Sequence, residues 1–332
     1  MAPANDGPPI RSGPAHLAPV VLVALALLAG PTRAAEAGTH DRPPAARPLM
    51  VVSGLDASVP FSSPRSIAMD FRHKEIYVAN TGGHRIEIFD FKGNVRGQFV
   101  HRVRTPEGDS VDGLPRGLAL DGAGHLLVVD QLAGYVDVLD YRGYSVGRLE
   151  LPLQNGNIND GPGAVTVTRE GLILVATRGD SGRVHQFAPD FTSLGAWGVP
   201  GTGPGRLTGV MGMAATPDGR VVIVSPTTEF AVQVFSENGR FILGFGRHEI
   251  GEGNFSFPSG VAVTNDGRIW VTDELRQMVQ VFDSSGKYVG AVGSGGRAPG
   301  EFMYPSALAS DGDSLLAVAE RVGNRFQLFK VQ

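Results

Sequence analysis

From residue 48 onward the chain alternates short apolar runs with polar turns, and helical periodicity is absent. The stretch "EIYVANTGGHRIEIFDFKGN" (75–94) shows the unit: apolar strand, polar loop, apolar strand, then a Lys-Gly-Asn turn. The same order returns in "RVVIVSPTTEFAVQVFSENGR" (220–240) and "RIWVTDELRQMVQVFDSSGK" (268–287). A marker upstream of each copy sets the register: "PRSIAMD" at Pro64, "PRGLALD" at Pro115, "PGAVTVT" at Pro162, "VMGMAAT" at Val210, "PSGVAVT" at Pro258 and "PSALASD" at Pro305. The intervals are 51, 47, 48, 48 and 47 residues, so six units tile the chain from residue 64 to its end. Each unit holds four strand signals, as in Val261–Val263, Ile269–Thr272, "VQVF" (279–282) and "KYVGAVG" (287–293). Asp-Gly, Asn-Gly and Ser-Gly pairs supply the positive φ that tight hairpins need. Four antiparallel strands repeated at this period predict an all-β chain folded as a six-bladed β-propeller.

The sixth unit stops after "RFQLFKVQ", one strand short. "PLMVVSGLDASVPFSSP" (48–64) repeats the order of "KYVGAVGSGGRAPGEFMYP" (287–305): apolar strand, Gly, loop, Phe, Pro. The N-terminal segment is therefore expected to supply the missing outer strand and close the ring without an open sheet edge. A linear solenoid would need polar capping repeats instead.

In these residues the chain resembles the NHL-repeat family, whose signature runs through an apolar strand ending in Asp, a Thr-Gly-Asn-His-Arg-Ile loop and a Val-Phe strand. "IYVANTGGHRIEIFDFKG" carries it nearly whole, with Asn80 in the Asp slot and Arg85 in the Arg slot. Unit six has Glu320 and Arg325, whereas Met278, Tyr135 and Ala231 replace the arginine in units five, two and four. The resemblance covers roughly residues 48–332 and implies the propeller fold; the family hosts unrelated activities, so it implies no single function. A pair at the two ends of one loop is expected to bridge neighbouring strands, a structural role for Asn80/Arg85 and Glu320/Arg325.

Residues 1–47 lie outside the repeats. Arg11 and His16 precede the apolar run "LAPVVLVALALLAG" (17–30), and "AEA" (35–37) offers a cleavage site before Gly38. This pattern predicts a secretory signal peptide over 1–37, a Pro-rich linker over 38–47 and a propeller over 48–332. The run is shorter than the roughly 20 residues that span a bilayer, so membrane attachment would require an uncleaved signal. The expected location is the periplasm or the exterior. The chain has no cysteine, which excludes disulfides, thiolate metal sites, covalent haem attachment and a lipidated cysteine. With 29 Lys+Arg against 33 Asp+Glu, it lacks the basic excess that nucleic-acid binding requires.

Loops that precede first strands and loops that join second to third strands share one face, around the mouth of the central channel. Right after the six markers come Arg65, Arg116, Gly163, Met211, Ser259 and Ser306. Two adjacent blades thus place arginine at one position, where a planar guanidinium suits a carboxylate or phosphate. The second loop set adds Arg178, Arg276 and Arg321 with Asp130 and Asp273. These seven residues are the candidate ligand-binding set, and none is assigned a catalytic role. The loops 101–115 and 151–162 depart most from the repeat and fall beside Arg65 and Arg116.

"GTGPGRL" (201–207) and "GSGGRAPGEF" (293–302) look like phosphate-cradling loops, but strands follow them rather than helices, so they are expected to be inter-blade turns. Only His84, His101 and His248 fall in mouth loops, from different blades, with no short His-x-His or His-x3-His spacing. They are the candidates should a metal be held; no metal and no cofactor are expected. The preferred function is binding of a protein, peptide or glycan through the mouth loops, since no nucleophile–base or acid–base pair stands out. The alternative is a metal-dependent enzyme resembling the peptide-amidating lyase or gluconolactonase, both six-bladed propellers.

Overall fold

The computed structural model describes residues 44–56, 58–104, 108–152 and 158–332. The predicted signal segment, most of the linker, and parts of the loops 101–115 and 151–162 lie outside the described residues.

Six four-stranded antiparallel sheets follow one another along the chain. In the fifth blade, Pro258–Val263, Ile269–Asp273, Met278–Phe282 and Tyr288–Val292 pair in sequence order. The sixth blade is made from both ends: Pro305–Ser310, Leu315–Glu320 and Arg325–Val331 are completed by Ala46–Val52, antiparallel to the last strand. This strand starts at Ala46, two residues inside the stretch read as linker. Pro48 sits at a register break in it, which an outer strand tolerates because the missing N–H faces away from the ladder.

The blades are held by apolar layers, one per neighbouring pair. Leu127, Val129, Val165 and Ile173 fill the layer between blades two and three, and Val222, Val232, Val261 and Phe282 fill that between four and five. The layer between blades six and one contains Phe326 and Leu328 from the chain's end and Phe61, Ile67 and Phe89 from its beginning. Phe61, Phe89 and Phe326 meet at centroid distances of 5.4–6.1 Å. Burial of these rings ties the last blade to the first at about 1.5–3 kcal/mol per side chain. The only helical segments among the described residues are single 3-10 turns, Thr81–Gly83 and Ile158–Asp160.

Candidate functional site

The residue after each marker proline occupies a bulge. Pairing between first and second strands breaks register at Pro64/Ser66, Pro115/Gly117, Pro162/Ala164, Pro258/Val261 and Pro305/Ala307. A bulge leaves its extra residue off the ladder and re-aims the side chain. Arg65 and Arg116 are two such residues, and both line the upper part of the central channel with Gly163, Met211 and Ser306. The serines at this position are fasteners. Ser306 Oγ donates to the Pro64 carbonyl of blade one (3.0 Å), and buried Ser259 pairs with Thr272 Oγ1 (2.9 Å).

Gly163 has a packing reason. A Cβ there would lie 2.8 Å from the Arg178 backbone, so only glycine lets the 177–183 loop settle over the channel rim. The Arg116 guanidinium reaches from blade two to Met211 of blade four, with an Nη2–Sδ distance of 3.7 Å. Among the described residues, neither Arg65 nor Arg116 is hydrogen-bonded to a carboxylate. Burial lowers the Arg116 pKa, the positive charges of Arg178 and Arg65 lower it further, and it falls to about 10. Arg65 is lowered by burial and by Arg321, against an opposing pull from Glu274. Arg178 is lowered by burial, with Asp130 opposing. All three remain cations at neutral pH, crowded together in a half-buried mouth.

Arg321 is committed to Glu274 through Nε (3.2 Å) and Nη2 (2.9 Å), and lies 5.5 Å from the Tyr304 ring centre. Arg276 is spent on loop carbonyls, donating to Glu249 and Gly251 at 2.7 Å each. Asp273 is buried and accepts the Ser256 and Phe257 backbone N–H groups at 2.7 and 3.0 Å. Asp130 is likewise buried, accepting Leu114 and Leu132 N–H groups and pairing with His101 Nδ1 at 2.8 Å. The structure therefore brings Arg65, Arg116 and Arg178 together at the mouth, with Arg321 beside them, and binds Arg276, Asp130 and Asp273 into the loop framework.

The Asp/Arg slots follow the same economy. Glu320 pairs directly with Arg325 at 2.6 Å. Asn80 carries no charge to attract Arg85, and both side chains instead converge on the buried Glu87, at 2.6 and 2.7 Å. A fastening position escaped the sequence reading: the middle of each third strand, occupied by Glu87, Asp137, His185, Gln233, Gln280 and Gln327. The three glutamines hold the incoming loop through the carbonyls of Arg206, Asn254 and Glu301. A polar residue recurring inside an otherwise apolar strand was the available signal. In blade two this slot holds Asp137, 3.5 Å from His101 Nε2, so His101 is clamped between two carboxylates. Burial disfavours its charged form, but the hydrogen bonds and attraction of Asp130 and Asp137 outweigh this and raise its pKa.

His84 contacts the Gly113 carbonyl (2.9 Å) and His248 the Thr228 carbonyl (3.1 Å), so the three mouth histidines are not brought together. No group of three or more His, Asp or Glu side chains placed to hold a metal occurs among the described residues. The two glycine-rich segments run between blades and lead into strands, and Gly205 and Gly300 donate their N–H groups to Gln233 and Gln327.

A family model described as DUF5128, 6-bladed beta-propeller, matches residues 254–326. No curated protein matches the chain. Among solved structures, a putative gluconolactonase is 14% identical with a TM-score of 0.62, covering 88% of this chain and 94% of its own. A gluconolactonase from Xanthomonas campestris is 15% identical at a TM-score of 0.58, covering 82% and 87%. The virginiamycin B lyase of Staphylococcus aureus is 12% identical at 0.58, covering 86% and 99%. At such identities the likeness carries the architecture and not the chemistry: this chain is a six-bladed β-propeller.

Proposed function

We propose that this chain is an exported NHL-type binding propeller whose channel mouth receives an anionic group of a protein, peptide or glycan ligand on Arg65 and Arg116. One observation carries the reading: two adjacent bulges aim arginines into one mouth, beside Arg178 and without a hydrogen-bonded carboxylate. Placing like charges together costs stability in the free protein, and a bound carboxylate or phosphate relieves it through charge-assisted hydrogen bonds. The "IYVANTGGHRIEIFDFKG" motif supports the family, and the apolar run over 17–30 supports export.

Calorimetric titration with carboxylate- and phosphate-bearing probes tests the site. Saturable, salt-sensitive binding to the wild type is expected, weakened at least tenfold by Arg65→Ala combined with Arg116→Ala. Equal affinity in the double variant would refute it. Metal analysis separates the enzyme alternative: stoichiometric zinc or calcium, with a Tm lowered by chelator, would replace the binding reading with a metal-dependent one. Export predicts a periplasmic or secreted product beginning near Gly38.

A further inference from the structure

The polar slot in the middle of the third strands has one exception to its fastening role. In blade four Gln233 donates to the Arg206 carbonyl (2.8 Å) and accepts the Gly205 N–H (2.7 Å). Gln327 does the same in blade six with the Glu301 carbonyl (2.7 Å) and the Gly300 N–H (2.9 Å). Glu87 and Asp137 are engaged by Asn80, Arg85 and Ser145. His185 fills the slot in blade three, is only 7% exposed, and hydrogen-bonds to none of the described residues. Its ring faces a cavity of about 340 Å³ instead, bordered by Asp160, Thr177, Ser181, Arg183 and its small cross-strand neighbour Ala196. Ser181 Oγ is buried at the same cavity and also has no partner. The loop that carries it is held in place: Thr177 N–H donates to the Arg183 carbonyl (2.9 Å), and Asp180 accepts from Thr208 Oγ1 (2.7 Å). Two buried polar groups left unpaired in one cavity are costly unless something that enters it satisfies them.

We propose that this blade-three cavity binds a backbone amide of a neutral partner peptide, with the His185 ring and the Ser181 hydroxyl supplying its donor and acceptor. The repeat itself shows the chemistry, because the same slot in blades four and six holds one backbone carbonyl and one backbone N–H. Burial, with the nearby Arg183 charge, lowers the His185 pKa, so the imidazole is neutral and offers one N–H and one lone pair. Asp160 and Arg183 bring opposite charges to the lining, which therefore favours neither sign of ligand. Among the described residues no aromatic ring lines the cavity on which a sugar face could stack. The site uses neither Arg65 nor Arg116 and does not depend on anion binding there.

Ligand-observed NMR titration of the full chain with the neutral probe N-acetyl-alanyl-alanine methylamide, beside N-acetylglucosamine, tests the proposal. The peptide should bind saturably at neutral pH, about fivefold more weakly in His185→Leu and in Ser181→Ala. His185→Gln, which restores a donor and an acceptor, should keep the binding. His185→Leu should not lower the Tm, because it removes a buried polar group that has no partner. Gln233→Leu, the same change at a slot that fastens its loop, should lower the Tm by about 2–4 °C. A fall for His185→Leu equal to that for Gln233→Leu would show a fastener in blade three and overturn the proposal. So would peptide affinity that is absent in the wild type or unaltered in His185→Leu. Preference for N-acetylglucosamine over the peptide would overturn the peptide assignment. Acetate binding at the arginine pair should be unchanged in His185→Leu, so failure of one site is read separately from failure of the other.

Discussion

Blades one and two use the same backbone positions as blades five and six for different ends. In blades five and six the bulge residue is serine, and Ser306 ties its blade to the Pro64 carbonyl. In blades one and two the bulge residue is arginine, and the fastening between them passes elsewhere: Thr81 Oγ1 donates to the Pro115 carbonyl at 2.6 Å. The third-strand slot diverges in parallel, from the neutral Gln280 and Gln327 to the carboxylates Glu87 and Asp137. Where a hydroxyl fastens the bulge, that position presents no charge to the mouth, and the nearby charges are paired, as in Arg321 with Glu274. Where the inter-blade fastening is displaced onto a threonine, the bulge is released for an arginine that, among the described residues, no carboxylate hydrogen-bonds. A repeat can thus acquire a site without altering its backbone, provided a neighbour takes over the hydrogen bond.

The largest effect is expected in the fastened half. Glu320→Ala removes the partner of buried Arg325 and Gln327 and of the Met303 N–H, and should cost about 3–5 kcal/mol in chemical denaturation. Asn80→Ala, which leaves the Arg85–Glu87 pair intact, should cost about 1–3 kcal/mol. Equal losses would mean that the two blades are fastened alike.

His101 comes next, because its ring stands between two buried carboxylates. Its pKa is raised on folding, so its contribution is complete below the ordinary imidazole range and is lost as pH rises through the raised folded value. The Tm gap between wild type and His101→Gln should therefore be widest in mild acid and narrow toward alkaline pH. A gap independent of pH would place the histidine there for packing alone.

Arg116→Met should act in the opposite direction. The depressed pKa means that the charged form is disfavoured by folding, so at neutral pH the cation destabilises the native state. Removing it should raise the Tm by about 2–4 °C while abolishing anion binding. A fall in Tm would show that the arginine is a fastener after all. The smallest change is expected for Ser306→Ala, about 0.5–1.5 kcal/mol, with no change in anion affinity.

The arginine pair was visible in the sequence because the marker prolines set a register in which Arg65 and Arg116 coincide. Arg178 was placed on the same rim together with Arg276 and Arg321; that it closes on the pair was not visible, since its approach depends on Gly163 lacking a Cβ, a contact between segments that periodicity does not reveal. Asp130 and Asp273 read as rim charges because loop aspartates are commonly solvated. Burial and convergence on backbone N–H groups are properties of the folded loops, and they turn both side chains inward.

The sequence by itself determined the number of blades, the order of strands and the segment able to complete the sixth sheet. Alternation, turn chemistry and repeat length are local quantities that the chain carries wherever it folds. Tertiary structure alone decided which cations crowd together at the mouth and which are bound into ion pairs. Pairing, desolvation and the lining of the channel arise only when six blades, distant in sequence, are brought around one axis.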